Sequence, residues 1–153
     1  MTAPVEPAPS ESAVRAWTRL ERAHRAALAA VEGRLKKAGL PALAWYDVLL
    51  ELERAGTAGL RPFELQKAML LAQYNLSRLI DRLEAEGHVA RAASEEDGRG
   101  QRLTITHAGR ALRHRMWPVY AAAIEDAVGA RLSDAEAGTL ADLLARLYAP
   151  STR

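Results

Sequence analysis

The amino-acid sequence predicts a mainly α-helical fold with a single small β-hairpin. Three observations carry that expectation. Apolar residues recur at spacings of three and four through most of the chain, the period of a helix with one buried face. Between residues 88 and 106 the period falls to two, on either side of a polar segment that holds two glycines. Alanine, the strongest helix former, supplies about a fifth of the residues.

The 153 residues suit one domain, long enough to bury its own core. Hydrophobic residues make up 49% and charged residues 26%, the balance of a globular chain. Cysteine is absent, which excludes a disulfide scaffold, thiolate metal sites, cysteine nucleophiles and thiol-based sensing. No run reaches the roughly 18 apolar residues of a membrane helix, so no membrane partner is expected. Met1 to Pro9 contains three prolines and neither a basic start nor an apolar run. It reads as a flexible tail over 1–9 and not as a secretory signal, so the expected compartment is cytoplasmic.

A first long helix follows from Ser10 to Lys37, striped by Ala13, Trp17, Leu20, His24, Ala27, Leu28, Val31 and Leu35. Gly39 and Pro41 interrupt it. A second helix is expected from about Pro41 to Arg54, with Pro41 in its first turn, and is stopped by the glycines at 56 and 59. A short helical pattern spans Leu60 to Met69. A stronger one runs from Gln73 to Glu86, with Leu76, Leu79, Ile80 and Leu83 apolar and Gly87 as its stop. Strands are expected at 88–93 and 101–106, joined by the polar loop 94–100. Thr106 is placed to cap a helix from His107, which Pro118 should kink. Ser133 and Glu136 have capping-box spacing before a last helix with Leu140, Leu143, Leu144 and Leu147 on one face. Four helices, two strands and two helices, in that order, spell a winged helix-turn-helix between long helices.

Four segments in register resemble the MarR (multiple-antibiotic-resistance regulator) family of transcription factors. Leu60-Arg61-Pro62-Phe63-Glu64-Leu65 is similar to the start of that family's helix-turn-helix. The stretch Leu76 to Gly87 is similar to its recognition helix and following turn. Asp97-Gly98-Arg99 resembles the Asp-x-Arg of its wing. Leu103-Thr104-Ile105-Thr106-His107-Ala108-Gly109-Arg110 resembles the strand and helix start beyond it. The family often has Ser or Thr near the start of the recognition helix; this chain has Ala72-Gln73-Tyr74-Asn75, so an unusual operator is expected.

The resemblance implies a homodimer held by its first and last helices. Residues 10–55 would then be N-terminal dimerisation helices that also wall a ligand pocket. The DNA-binding lobe is 56–106, and 107–149 are C-terminal dimerisation helices. It further implies double-stranded DNA as partner, with a recognition helix in each major groove and the wing at the minor groove. A small aromatic or anionic effector would weaken that binding.

Charge agrees with this reading. Net charge is only +2, but residues 61–115 hold ten Lys/Arg against seven Asp/Glu, whereas residues 116–153 are net acidic. Residues early in a recognition helix reach base edges. Gln73 and Asn75 carry the amide that pairs with adenine, and Arg78 the fork that pairs with guanine. Tyr74 and Ser77 suit phosphate or a thymine methyl. Arg82 suits phosphate, or an ion pair with Asp81 or Glu86. On the wing, Arg99 suits a narrow minor groove, with Asp97 orienting it, and Arg102 completes the candidate DNA-binding set. A solvated helix face and hairpin tip are the plainer alternative.

Trp17, His24, Trp45, Tyr46 and Asp47 gather aromatic and acidic groups on the first two helices of an aromatic-poor chain. They form a candidate ligand-binding set, in which Asp47 is placed to pair with Arg78. Core or dimer packing is the alternative. His24, His88, His107 and His114 lack ligand spacing, so no metal and no cofactor is expected. No phosphate loop, nucleophile elbow or zinc-protease motif is present, and Glu95-Glu96 sits on the wing; no enzyme is expected. A winged-helix protein-interaction module that does not read DNA is the competing function.

Overall fold

A computed structural model describes residues 6–71, 75–93 and 101–148. The chain runs α1 (Glu11–Lys37), α2 (Leu43–Ala55), a 3-10 turn (Gly56–Ala58), α3 (Pro62–Ala68), α4 (Leu76–Ala85), β1 (Val89–Ala93), β2 (Gln101–Ile105), α5 (His107–Ile124), a π turn (Glu125–Gly129) and α6 (Asp134–Tyr148). It is mainly helical with one antiparallel hairpin, as the change of period predicts. Of the expected tail, residues 1–5 lie outside the described residues, as does the loop 94–100.

Local chemistry sets most boundaries. The Ser10 hydroxyl accepts the Ala13 amide at 3.1 Å and starts α1. Arg34, Lys36 and Lys37 end it, where cations suit the helix dipole. Val31 and Leu35 are its buried residues; from 11 to 26 its side chains are exposed except half-buried Leu20. The structure corrects the start of α2. It begins at Leu43, where Glu32 of α1 takes the Leu43 amide at 2.7 Å, and Pro41 lies in the irregular link before it. Seven of its residues are buried, Leu43, Trp45 to Leu49 and Leu52, so neighbours wrap it on more than one face.

Helix α3 has Pro62 at its first turn, where the missing N–H costs nothing. Helix α4 also starts later than its sequence period suggests, with Asn75 in the capping position and Leu76 first; Gln73 and Tyr74 lie outside the described residues. It ends in a Schellman motif. Gly87, at φ +81°, donates to the Glu84 carbonyl (2.9 Å) and His88 donates to that of Leu83 (2.8 Å).

The hairpin pairs Val89 with Ile105 through Ala93 with Gln101. Leu60 adds a short third edge, exchanging backbone hydrogen bonds with Leu103 at 2.9 and 2.8 Å. Thr106 joins hairpin to α5: its hydroxyl donates to the Gly87 carbonyl (2.6 Å) and accepts the Gly109 amide (3.0 Å). Gly109 lies against the His88 carbonyl, with no room for a Cβ. Helix α5 then continues through Pro118 to Ile124. The predicted capping box closes reciprocally. Ser133 donates its amide to Glu136 at 3.0 Å and its hydroxyl accepts the Glu136 amide at 3.1 Å. Those bonds hold the Glu136 carboxyl below the usual carboxylate range.

The core lies where α2 meets its neighbours. Val48, Leu49 and Leu52 pack with Leu35, Leu65, Leu83, Leu103 and Met116, all essentially inaccessible. Each such leucine contributes about 1.5–3 kcal/mol of burial, and Leu52→Ala at the centre should cost about 2–5 kcal/mol. One helix thus ties α4, the hairpin and α5 into a single unit.

Candidate nucleic-acid interface

Helix α4 has two unlike faces. Leu76, Ile80 and Leu83 are buried beneath it, while Ser77, Arg78, Asp81 and Arg82 are exposed. Asn75 is exposed at its start. Arg78 makes no ion pair among the described residues. An exposed guanidinium beside a hydroxyl and an amide is a surface able to donate to phosphates and base edges.

Arg82 behaves differently. Its guanidinium lies 5.6 Å over the Trp45 ring, so it rests on α2 instead of bridging Asp81 or Glu86. Arg91 of β1 takes the acidic side of α4. It pairs with Asp81 and, at 3.0 Å, with Glu84, fastening the hairpin to the recognition helix. Arg102 is half-buried and donates to the Ala58 carbonyl at 3.3 Å, which anchors β2 to the 3-10 turn. Gln73, Tyr74 and Arg99 lie outside the described residues.

Three consecutive residues of α2 grip three neighbours. Successive side chains on a helix point about 100° apart, so a fully wrapped helix can do this. Trp45 meets Arg82 and packs edge-on against His88 at 6.1 Å. Tyr46 packs against Trp117 and Tyr120 of α5, with ring centroids 6.1 and 5.1 Å away. Its hydroxyl accepts from Arg113 Nη1 at 3.2 Å. Asp47, only 5% exposed, accepts the Leu71 amide at 2.8 Å. The predicted Asp47–Arg78 pair is therefore absent: the carboxylate is turned inward to the linker before α4, and Arg78 stands on the outer face.

An ion cluster beside Tyr46 joins α2 to α5. Glu53 pairs with Arg113 and lies 3.4 Å from His114 Nε2. Burial alone would raise the Glu53 pKa, but the hydrogen bonds and charges of Arg113 and His114 bring it below the ordinary carboxylate value. Burial likewise opposes the Arg113 charge, and its bonds to Glu53 and Tyr46 outweigh that and raise its pKa.

Below α2 a cleft of about 690 Å³ opens, with Tyr46, Asp47, Tyr120 and Leu71 among its walls and Arg54 and Lys67 among its charged groups. Burial pushes the Tyr120 hydroxyl pKa up, and the Asp47 and Tyr46 charges add to it. Of the candidate ligand set, the structure brings Tyr46 and Asp47 to this cleft. Trp45 faces the recognition helix, and Trp17 (65% exposed) and His24 lie out on α1. Sequence reasoning missed Arg91, Tyr120 and Leu71. Asp81 and Glu84, three apart on one helix face, were the available sign of a cation opposite.

A helix-turn-helix with an exposed polar second helix and a following hairpin defines the winged helix-turn-helix class. Residues 38–100 match the model of the MarR family, from the end of α1 into the hairpin loop. The transcriptional activatory protein BadR of Rhodopseudomonas palustris is 34% identical over 99 residues, 64% of this chain and 51% of that protein. The chain thus spans about half the length of this curated relative. Among solved structures, the MarR family regulator Sco3205 of Streptomyces coelicolor, in complex with DNA, has a TM-score of 0.83 at 23% identity, covering 95% of this chain and 91% of that one. BpsR of Bordetella bronchiseptica, whose DNA binding is regulated by 6-hydroxynicotinic acid, has a TM-score of 0.74 at 26% identity, covering 92% and 99%. Residues 38–100 thus match the MarR family of transcriptional regulators, and the chain as a whole is similar to solved members of that family. No helix among the described residues is long and apolar enough to cross a membrane.

Proposed function

We propose that the protein is a homodimeric repressor that binds a pseudo-palindromic operator. The recognition helix and its lead-in, 73–86, enter the major groove, and the wing, 94–100, lies at the minor groove. The observation that carries this reading is the outer face of α4, where Ser77 and Arg78 are exposed above a fully packed apolar face. The basic surplus of residues 61–115 supports it, because phosphate contact needs a local excess of cations.

Dimerisation is supported by apolar side chains left uncovered on α1 and α6. Val14, Trp17, Leu140, Leu143 and Leu147 are 40% to 67% exposed. Exposed apolar side chains at helical spacing are what subunit association buries. Release by a small aromatic or anionic effector is supported by the cleft, whose volume lies within the usual range for small-molecule sites. Its aromatic walls suit a ring, and Arg54 and Lys67 suit an anion. The effector named for BpsR is a compound of that kind.

The test is a gel shift on the DNA upstream of the protein's own gene, titrated with salt. One dimer per pseudo-palindrome is expected, with affinity falling steeply as salt rises. Failure across the whole upstream region would favour the protein-interaction module instead. A reporter under that promoter reads the sign: deletion of the gene should raise expression.

A further inference from the structure

We propose that Asp47 is a positioning residue for operator recognition: through the Leu71 amide it fixes the chain that leads into the recognition helix, and it does so from the wall of the cleft. The proposal rests on the reading of α4 as the DNA-contacting helix. Asp47 is the one buried charged side chain among the described residues. A buried carboxylate is costly unless donors answer it, so its position is built around a partner. The partner is a backbone amide 24 residues away, taken by Oδ2 at 2.8 Å. Leu71 lies five residues before Leu76, where α4 begins.

The far end of the same helix is held from the same stretch of α2, by Trp45 under Arg82 and against His88. The two grips differ in kind. A ring face tolerates sliding, whereas a charge-assisted hydrogen bond is directional. They also differ in access. Asp47 and Leu71 line the cleft, and Trp45 does not. An occupant of the cleft with its own hydrogen-bond donor competes for the directional grip and leaves the other in place. Leu76, Ile80 and Leu83 keep α4 packed in either case, so loss of the Asp47 bond changes where the helix points and not whether it folds. Base-edge contacts depend on that aim; phosphate contacts depend on it far less. The consequence falls on discrimination between operator and unrelated DNA.

Fluorescence anisotropy of the full chain on an operator duplex and an unrelated duplex of equal length tests this. Three chains are compared with wild type: Asp47→Asn, Asp47→Leu, and one whose Leu71 amide is replaced by an ester, which deletes the N–H and leaves every side chain intact. Asp47→Leu and the ester each lower the ratio of operator to unrelated affinity by about tenfold. Together they lower it no further than either alone, because both delete one bond. Asp47→Asn, which keeps an acceptor oxygen there, stays within about threefold of wild type. An unchanged ratio in the ester chain, additive losses, or an equal fall on both duplexes overturns the proposal. A wild-type protein that prefers no operator overturns the DNA reading, and the proposal with it.

Discussion

Replacing Gly59 by alanine should loosen the joint between helix-turn-helix and wing. Gly59 has φ +66° and ψ −174°, a region that residues with a Cβ scarcely enter, at a cost of about 1–3 kcal/mol. The added Cβ would also lie 2.9 Å from Thr104 Cγ2 and 3.2 Å from the Leu103 carbonyl carbon, and would overlap the Leu103 oxygen. That oxygen is backbone and has no rotamer to escape into. It accepts the Leu60 amide, while Leu103 donates back to Leu60. Relief means parting the two strands and losing two hydrogen bonds, each worth about 0.5–1.5 kcal/mol. The combined loss is about 2–6 kcal/mol. Two other glycines act as controls. Gly87 has φ +81° but open space where its Cβ would stand, so Gly87→Ala should cost about 1–2 kcal/mol. Gly33 lies inside α1 with nothing within 4 Å, and Gly33→Ala should stabilise by about 0.5–1 kcal/mol. Urea unfolding followed by circular dichroism, at equal protein concentration, measures all three. A Gly59→Ala loss no larger than that of Gly87→Ala refutes the close-approach argument.

Other expectations concern charge and association. Arg78→Ala should cost about 1–3 kcal/mol on the operator and relax preference at one base pair, read by a panel of single-base variants. Arg99→Ala should weaken binding to all sequences and lower the salt slope by about one; an unchanged affinity and slope would remove the wing from the interface. Because the Glu53 pKa is depressed in the folded state below its ordinary 4.5, its contribution is complete above that value and lost as pH falls through the lower one. The melting-temperature gap between wild type and Glu53→Gln should therefore be present near neutrality and close in acid; a gap that persists in acid argues against the ion cluster. Leu143→Glu, at a half-exposed position on α6, should shift sedimentation from dimer towards monomer.

What was legible in the sequence was local. Ser10, Thr106 and the Ser133–Glu136 pair act within four residues of themselves, and Gly87 ends its helix by its own backbone freedom. Such chemistry can be read without knowing the fold. The helix starts placed too early, at α2, α3 and α4, fail for a different reason. At α2 the deciding acceptor is Glu32, eleven residues upstream on another helix, and no feature near Pro41 announces it. The site shows the same division. The exposed face of α4 follows from its period. Arg113 on Glu53 spans 60 residues, Asp47 on Leu71 spans 24, and Arg91 reaches Asp81 because the chain turns back at Gly87. These contacts are products of topology, and only the Asp81–Glu84 spacing carries a trace of one of them. Trp45, Tyr46 and Asp47 were recognisable as unusual, but not that each would hold a different neighbour.

The uncovered helices bear on the residues that stand apart from the cleft. The first half of α1 and all of α6 contribute no buried side chain to the single chain, although their apolar residues keep helical spacing. Trp17 is on that half of α1, away from Tyr46 and Asp47 of its own chain. On the dimer reading, association covers these faces and carries Trp17 and His24 against the second copy. Whether they meet an effector is then a property of the dimer and not of the chain. The same logic links association to DNA reading. Core contacts join α5 to α2 through Tyr46 and the Glu53–Arg113 pair, and α2 in turn touches Arg82 of α4 through Trp45 and the Leu71 amide through Asp47. On the dimer and DNA readings proposed above, contacts at the long helices and at α4 would meet in one buried helix, with the cleft opening beside it.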